Sequence, residues 1–299
     1  MPYLARLSPT DLALVLASAL LHALWSVSIK QSGDPLCFNL LQTWIASIGV
    51  AVAAPWIPWR EIPAEVWALV LLTGPTHAFY LYWMSRAYEH GDLSLVYPIA
   101  RSTPAFLPLV AVPLFGEVLD PIGGLGIVAV VAGMWLVHLG PGFERQSLTG
   151  SATRYALLTL LATVAYSLID KAAMARLAAG EWPGPVSRAI TYAVLLQVAH
   201  ALAFAPIFFR SRDLAALRAA AREQFARAAA AAVISLVGYA LILRAFETAV
   251  ASYVVAVRQS SVLFAVALGA LWLRERPSRP RVLGAAATVI GVALIAVFG

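Results

Sequence analysis

The chain has 299 residues, 61% of them hydrophobic and only 12% charged, about half the charged share of an ordinary soluble domain. That balance excludes a water-soluble globular enzyme, and the formal charge of +6 sits mostly in short polar links, where it bears on membrane orientation and anionic lipid rather than on nucleic acid. A single cysteine, Cys37, rules out an internal disulfide and any cysteine-based metal cluster.

A membrane-crossing helix needs about 20 predominantly apolar residues. Ten such stretches are predicted, at 11–30, 36–57, 65–85, 93–114, 121–139, 153–171, 187–209, 227–246, 250–273 and 281–298. Trp56, Trp59, Trp67, Trp135, Trp182 and Trp272 fall near their ends, where an amphipathic ring prefers the headgroup level. The first run has the small residues Ala17 and Ala19 of a cleavable leader, but it has a counterpart later in the chain and reads as a retained span.

The second half of the sequence repeats the first. A shift of 158 residues sets "SRAYEHGDLSLVYPIARSTPAF" against "LRAFETAVASYVVAVRQSSVLF", pairing Arg86 with Arg244, Glu89 with Glu247, Ser94 with Ser252, Ser102 with Ser260 and Phe106 with Phe264. In the same register Glu117 meets Glu275, Gly126 meets Gly284 and Gly133 meets Gly291. A shift of 141 pairs "WSVSIK" with "YSLIDK" and so Lys30 with Lys171. Five spans per unit force the second unit to enter the membrane from the opposite side, the inverted repeat characteristic of secondary transporters with a midplane site.

The two five-span halves, the "GE" at Gly116 and Glu117 with its partner Glu275, and the glycine-rich fifth and tenth spans resemble the EamA-type branch of the drug/metabolite transporter superfamily. "HALWSVSIK" at 22–30 is similar to a first-helix pattern of that branch, with Ser26 where Asn is usual. The resemblance implies an all-α membrane protein with inverted repeats over 1–140 and 141–299. It implies a multi-pass transporter of the bacterial inner membrane, without enzymatic activity or cofactor. It further implies a central cavity lined by the first, third, fourth, sixth, eighth and ninth helices.

The residues suggest what that cavity binds. Arg101 lies near the middle of the fourth span among Pro98, Pro104 and Pro108, and Arg258 lies at nearly the same depth in the ninth, where the repeat register pairs Arg101 with Gln259. A mid-membrane arginine costs about 2.5–3.5 kcal/mol on insertion scales and is expected to face protein or water, either neutralised by carbonyls or lining the cavity. Pro98, Pro104 and Pro108 free carbonyls that only a protein-lined or hydrated space satisfies. His22 and Ser26 stand four apart beside Trp25, and Thr73, His77, Tyr80 and Met84 form one face of the third helix. Tyr97, Tyr166 and Tyr239 lie on the fourth, sixth and eighth spans. The aromatic residues are candidates for the cavity wall or for interhelical packing, and His22 and His77 for carrying a coupled proton. Lys30 and Lys171 read as interfacial anchors or as anion catchers at a cavity mouth. Arg86 with Glu89 and Arg244 with Glu247 have the spacing of ion pairs, and Glu117 and Glu275 look like residues at helix starts.

No carboxylate is expected at mid-span, because Asp11, Glu65, Asp92, Asp120 and Asp170 flank the apolar runs, and His138 and His200 look isolated. Small multidrug-resistance relatives depend on such a carboxylate to bind lipophilic cations. Arginine in its place favours a substrate with a carboxylate, phosphate or phosphonate, or a zwitterion, and proton coupling or exchange over sodium. The expected partners are therefore a small molecule, the lipid bilayer and protons, with export the expected direction. Neutral or cationic drugs remain a second substrate class, and a membrane enzyme a third reading for which no HExxH or nucleophile–base set is visible. Links after the odd-numbered spans hold thirteen Lys/Arg against six on the other side, which puts both termini outside. The resemblance instead implies termini inside. The basic amphipathic stretch 210–227 is expected to lie on the anionic cytoplasmic leaflet.

Overall fold

The computed structural model describes residues 7–90, 93–138, 150–182, 185–272 and 278–299. Among them the ordered elements are helical: α1 (Pro9–Lys30), α2 (Pro35–Ala51), α3 (Ala64–His90), α4 (Leu93–Ala100), α5 (Thr103–Phe115), α6 (Pro121–His138), α7 (Ser151–Ala178), α8 (Arg188–Phe209), α9 (Leu214–Thr248), α10 (Ala251–Arg258), α11 (Ser261–Trp272) and α12 (Arg279–Phe298). Several helix starts follow from sequence. Ser8, Asp34, Ser187 and Asp213 each accept a hydrogen bond from a first-turn amide, and Pro9 and Pro35 sit where a missing N–H costs nothing. Seven stretches among the described residues are long and apolar enough to cross a bilayer, and the protein is a multi-pass membrane protein.

Two predicted spans are interrupted, at corresponding places. Between α4 and α5 the chain makes a tight turn at Arg101 and Ser102, and between α10 and α11 at Gln259 and Ser260, the positions 158 residues further on. At each turn amides reach back three residues instead of four: Ser102 N–H to Ile99 O at 3.1 Å, and Ser260 N–H to Val257 O at 2.9 Å. Side chains take up loosened carbonyls. Ser102 Oγ donates to Pro98 O at 2.7 Å, and Gln259 Nε2 donates to Val255 O at 3.3 Å. Pro104 in the first turn of α5 accounts for the first break, whereas no proline lies in α10 or α11, so proline is not the shared cause.

The glycine-rich helices α6 and α12 pack backbone to backbone. A Cβ on Gly133 would lie 2.5 Å from Gly284 O, and one on Gly126 would lie 2.7 Å from Gly291 O. Neither position has room for a larger residue.

Three expectations about helix ends are corrected. The helix containing Asp170 and Lys171 does not stop where the apolar run does; α7 continues to Ala178 and carries both residues inside the protein, 0% and 4% exposed. Lys171 is therefore no interfacial anchor: its Nζ donates to Phe246 O and Ala249 O, both at 2.7 Å, satisfying carbonyls at the end of α9. The eighth span does not start at 227, because α9 already begins at Leu214 and carries most of the basic stretch 210–227. Its Leu217 and Ala220 are buried with Cys37 and Phe38 of α2, and Gln224 donates to Ser32 O at 2.7 Å. The side chains of Lys30 and Glu275 lie outside the described residues. The two expected ion pairs form, Arg86 to Glu89 at 2.5 Å and Arg244 to Glu247 at 2.9 Å.

Candidate functional site

Helical spacing brings one polar face from each of several helices to a common interior. On α3 the i, i+4, i+7 positions Thr73, His77 and Tyr80 point the same way; on α7 Tyr166 and Asp170 do so, and on α1 His22 and Trp25. Around them lies a cavity of about 100 Å³, bounded by α1, α2, α3, α7, α8 and α9 and by Arg258 at the end of α10. A smaller space of about 20 Å³ adjoins it and shares Tyr80, Tyr166 and Arg258.

The placements are unequal. His22, Trp25, His77, Tyr80, Tyr166, Tyr239 and Arg258 line the larger cavity, while Arg101 and Gln259 line only the smaller one. Tyr97 lines neither. Its ring stacks on His138 at 4.9 Å and lies 5.2 Å from the Arg101 guanidinium, so His138 is not isolated. Arg101 and Arg258 are both half-buried, and neither pairs with a carboxylate among the described residues. Arg258 Nε is buried with no hydrogen-bond partner there, and its guanidinium sits 5.3 Å from the centroid of the Tyr239 ring. Next along the chain, the turn into α11 holds Gln259 Oε1, Ser260 Oγ and Ser261 Oγ, also buried and unpartnered among the described residues.

The expectation that no carboxylate lies at mid-span is overturned. Asp170 is fully buried and joins four side chains from three other helices. Thr73 Oγ1 and Tyr192 Oη donate to Oδ1, each at 2.7 Å, Tyr239 Oη donates to Oδ2, and His77 Nε2 lies 3.1 Å from the same oxygen. Hydropathy placed Asp170 at the edge of its span because the charged pair Asp170 and Lys171, with Arg176 one helical turn and a half further on, reads as an end. The missed signal is the spacing to Tyr166, four residues earlier on the same face.

Sequence reasoning also missed the second and seventh spans. Gln42 on α2 accepts from Trp25 Nε1 at 2.9 Å, holding that indole on the cavity wall, and Gln197 and His200 line the cavity from α8. His200 stands 5.9 Å from His77, so it is not isolated. The walls are otherwise aromatic: His77 stacks on Tyr166 at 4.0 Å, and Tyr80 meets Tyr166 edge-on at 5.4 Å. Such a space takes a flat or apolar body while Arg258 offers the strongly charged point among its described lining residues.

No curated protein matches the chain in sequence. Among solved structures, one crystal structure superposes with a TM-score of 0.72 at 16% identity, covering 96% of this chain and 96% of that one, a likeness of fold alone. The model of the EamA-like transporter family matches twice, over residues 10–139 and 153–297, and with the two halves matched in succession the chain belongs to the EamA-like transporter family.

Proposed function

We propose that this transporter is secondary-active and carries a small metabolite with an acidic group, an amino acid, carboxylate or phospho compound, through the central cavity by alternating access. The single observation that carries the reading is Arg258: a guanidinium lining both spaces, with a buried Nε that has no hydrogen-bond partner, and no carboxylate paired with it, among the described residues. In a poorly hydrated interior such a charge attracts an anion far more strongly than it would in water. Asp170 favours the rival reading, a cationic drug or amine. It is enclosed by four protein contacts and 0% exposed, which leaves it no free face toward the cavity.

The architecture we infer is ten crossings in two inverted repeats, 1–140 and 141–299, in the bacterial inner membrane. Three observations support it. The family model matches once per half, and the helix breaks fall 158 residues apart. The glycine contacts are reciprocal: Gly126 meets Gly291 and Gly133 meets Gly284, as copies related by a two-fold axis require when Gly126 corresponds to Gly284 and Gly133 to Gly291. On this reading α4 with α5, and α10 with α11, are each one crossing.

A thermal-shift screen of the purified protein against small carboxylates, phosphonates, amino acids and amines tests the substrate class, since a ligand of the native state raises the melting temperature. Stabilisation by acids that is lost in Arg258→Gln supports the reading. Stabilisation by amines alone would replace it with the cationic one.

A further inference from the structure

We propose that His77 and Asp170 form the protonation site of the transport cycle, and that a proton held there strengthens binding of the anionic substrate, so that the two move in the same direction. The direction of coupling rests on the acidic-group reading above; the proton site does not.

His77 stands between a sealed carboxylate and the cavity. It lines the cavity, its ring lies against Tyr166, and its Nε2 is 3.1 Å from Asp170 Oδ2. An ionised carboxylate only accepts hydrogen bonds, so Nε2 of the neutral imidazole carries the hydrogen and Nδ1 is the nitrogen left to take a proton. Binding there converts a neutral ring beside a carboxylate into an imidazolium–carboxylate pair; release returns the proton to water. The other three groups on Asp170, the hydroxyls of Thr73, Tyr192 and Tyr239, donate hydrogen bonds but do not change charge near neutral pH. Imidazole is the side chain that does.

The surrounding groups fix the sign of coupling. Facing His77 are Tyr80 on its own helix, Tyr166 and Asp170 on α7, His200 on α8 and Tyr239 on α9, with Arg258 of α10 over the Tyr239 ring. Lys171, next to Asp170 in sequence, is turned away onto the carbonyls of Phe246 and Ala249. A proton on His77 adds positive charge to a wall that already holds Arg258. It therefore raises affinity for an anion, and by reciprocity the anion raises affinity for the proton. A cationic substrate would show the opposite dependence. An inward proton gradient then drives uptake, and a steep outward metabolite gradient drives efflux together with the proton.

The test uses the full chain in proteoliposomes. A rapid pH jump without organic anion should give a transient charge displacement in the parent and in His90→Gln, whose ring lies at the exposed end of α3 outside the cavity, and none in His77→Gln. A transient that persists in His77→Gln overturns the site. Nitrogen NMR of the labelled parent, with its five histidines, gives an independent reading if that variant is not recovered. One ring should gain a proton at Nδ1 on acidification while keeping Nε2–H, and its absence also overturns the site. Benzoate, a carboxylate ionised at both values, should bind the parent about five-fold more tightly at pH 6 than at pH 8 with uptake of protons, and His77→Gln equally at both. Benzoate binding that ignores pH overturns the coupling. Proton signals without benzoate binding leave the proton site standing and count against the acid-carrier reading.

Discussion

Arg258 and Asp170 are linked through a single side chain: the guanidinium lies 5.3 Å from the centre of the Tyr239 ring, and the hydroxyl of that ring donates to Asp170 Oδ2. One residue thus touches the cavity's cation with its face and the buried anion with its edge. Tyr239→Phe separates the two contacts, because it keeps the ring and deletes the donor. Leaving a buried carboxylate oxygen one partner short costs about 1–3 kcal/mol. A lowered melting temperature with the Arg258 site still competent for anions is the expected outcome, and Tyr192→Phe, which strips a donor from Oδ1, should behave alike.

The two arginines should not be equivalent. Arg258 borders both spaces and Arg101 only the smaller, so Arg258→Gln should weaken binding of an acidic ligand by about ten-fold, or 1.4 kcal/mol, and Arg101→Gln by distinctly less. Arg258→Lys should restore part of the loss, since the point charge survives while the planar fork does not. Equal, undiminished affinity in both Gln variants, measured by titration calorimetry on folded protein, would remove arginine from the site.

At the α6–α12 contact, the substitution Gly133→Ala drives a Cβ to within 2.5 Å of the Gly284 carbonyl oxygen, a backbone atom that cannot step aside. Overpacking of this kind costs about 1–3 kcal/mol. Gly124, two residues before Gly126 on the same helix, has nothing within 4 Å of its own Cβ position. Gly124→Ala should therefore leave the melting temperature where it is, whereas Gly133→Ala should lower it, and two indistinguishable curves would show that the helices approach less closely than described.

The duplication and the long apolar helices were legible because periodicity and hydropathy are written along the chain, and Gly126 and Gly133 appear as repeat matches of Gly284 and Gly291 before they appear as contacts of Gly291 and Gly284. The site was legible only where a residue is out of place in lipid. Arg101, Arg258, His22 and His77 stand out inside apolar runs; Asp170 does not, because Lys171 follows it directly and its four partners come from sequence positions 73, 77, 192 and 239. Gln42 and Gln197 were invisible for a similar reason, since an amide in a span signals nothing until its partner is known. The break in the ninth span has no proline to announce it, and only comparison with the fourth span marks the place.

Arg212, in the turn between α8 and α9, ties that turn to the first half of the chain: its Nε donates to Asp34 at 2.9 Å and its Nη2 to Glu89 at 3.0 Å. Burial alone would push the Asp34 carboxyl up, but the Arg212 guanidinium together with the Cys37 amide outweighs it and holds the carboxyl below its ordinary value. A carboxyl lowered by folding contributes stability that is fully present above its unfolded pKa, about 3.9, and is lost as pH falls through the folded one. The latch is therefore intact from neutral pH down to about pH 4 and fails only below it. Asp34→Asn isolates the charge, because asparagine caps the start of α2 as well as aspartate does. With both partners about a third exposed, the variant should lose about 1 kcal/mol or less at neutral pH. Its melting curve should converge on the parent's in strong acid. A gap of equal size at neutral pH and well below the carboxylate range would mean that the contact between Asp34 and Arg212 stabilises the turn by packing rather than by charge.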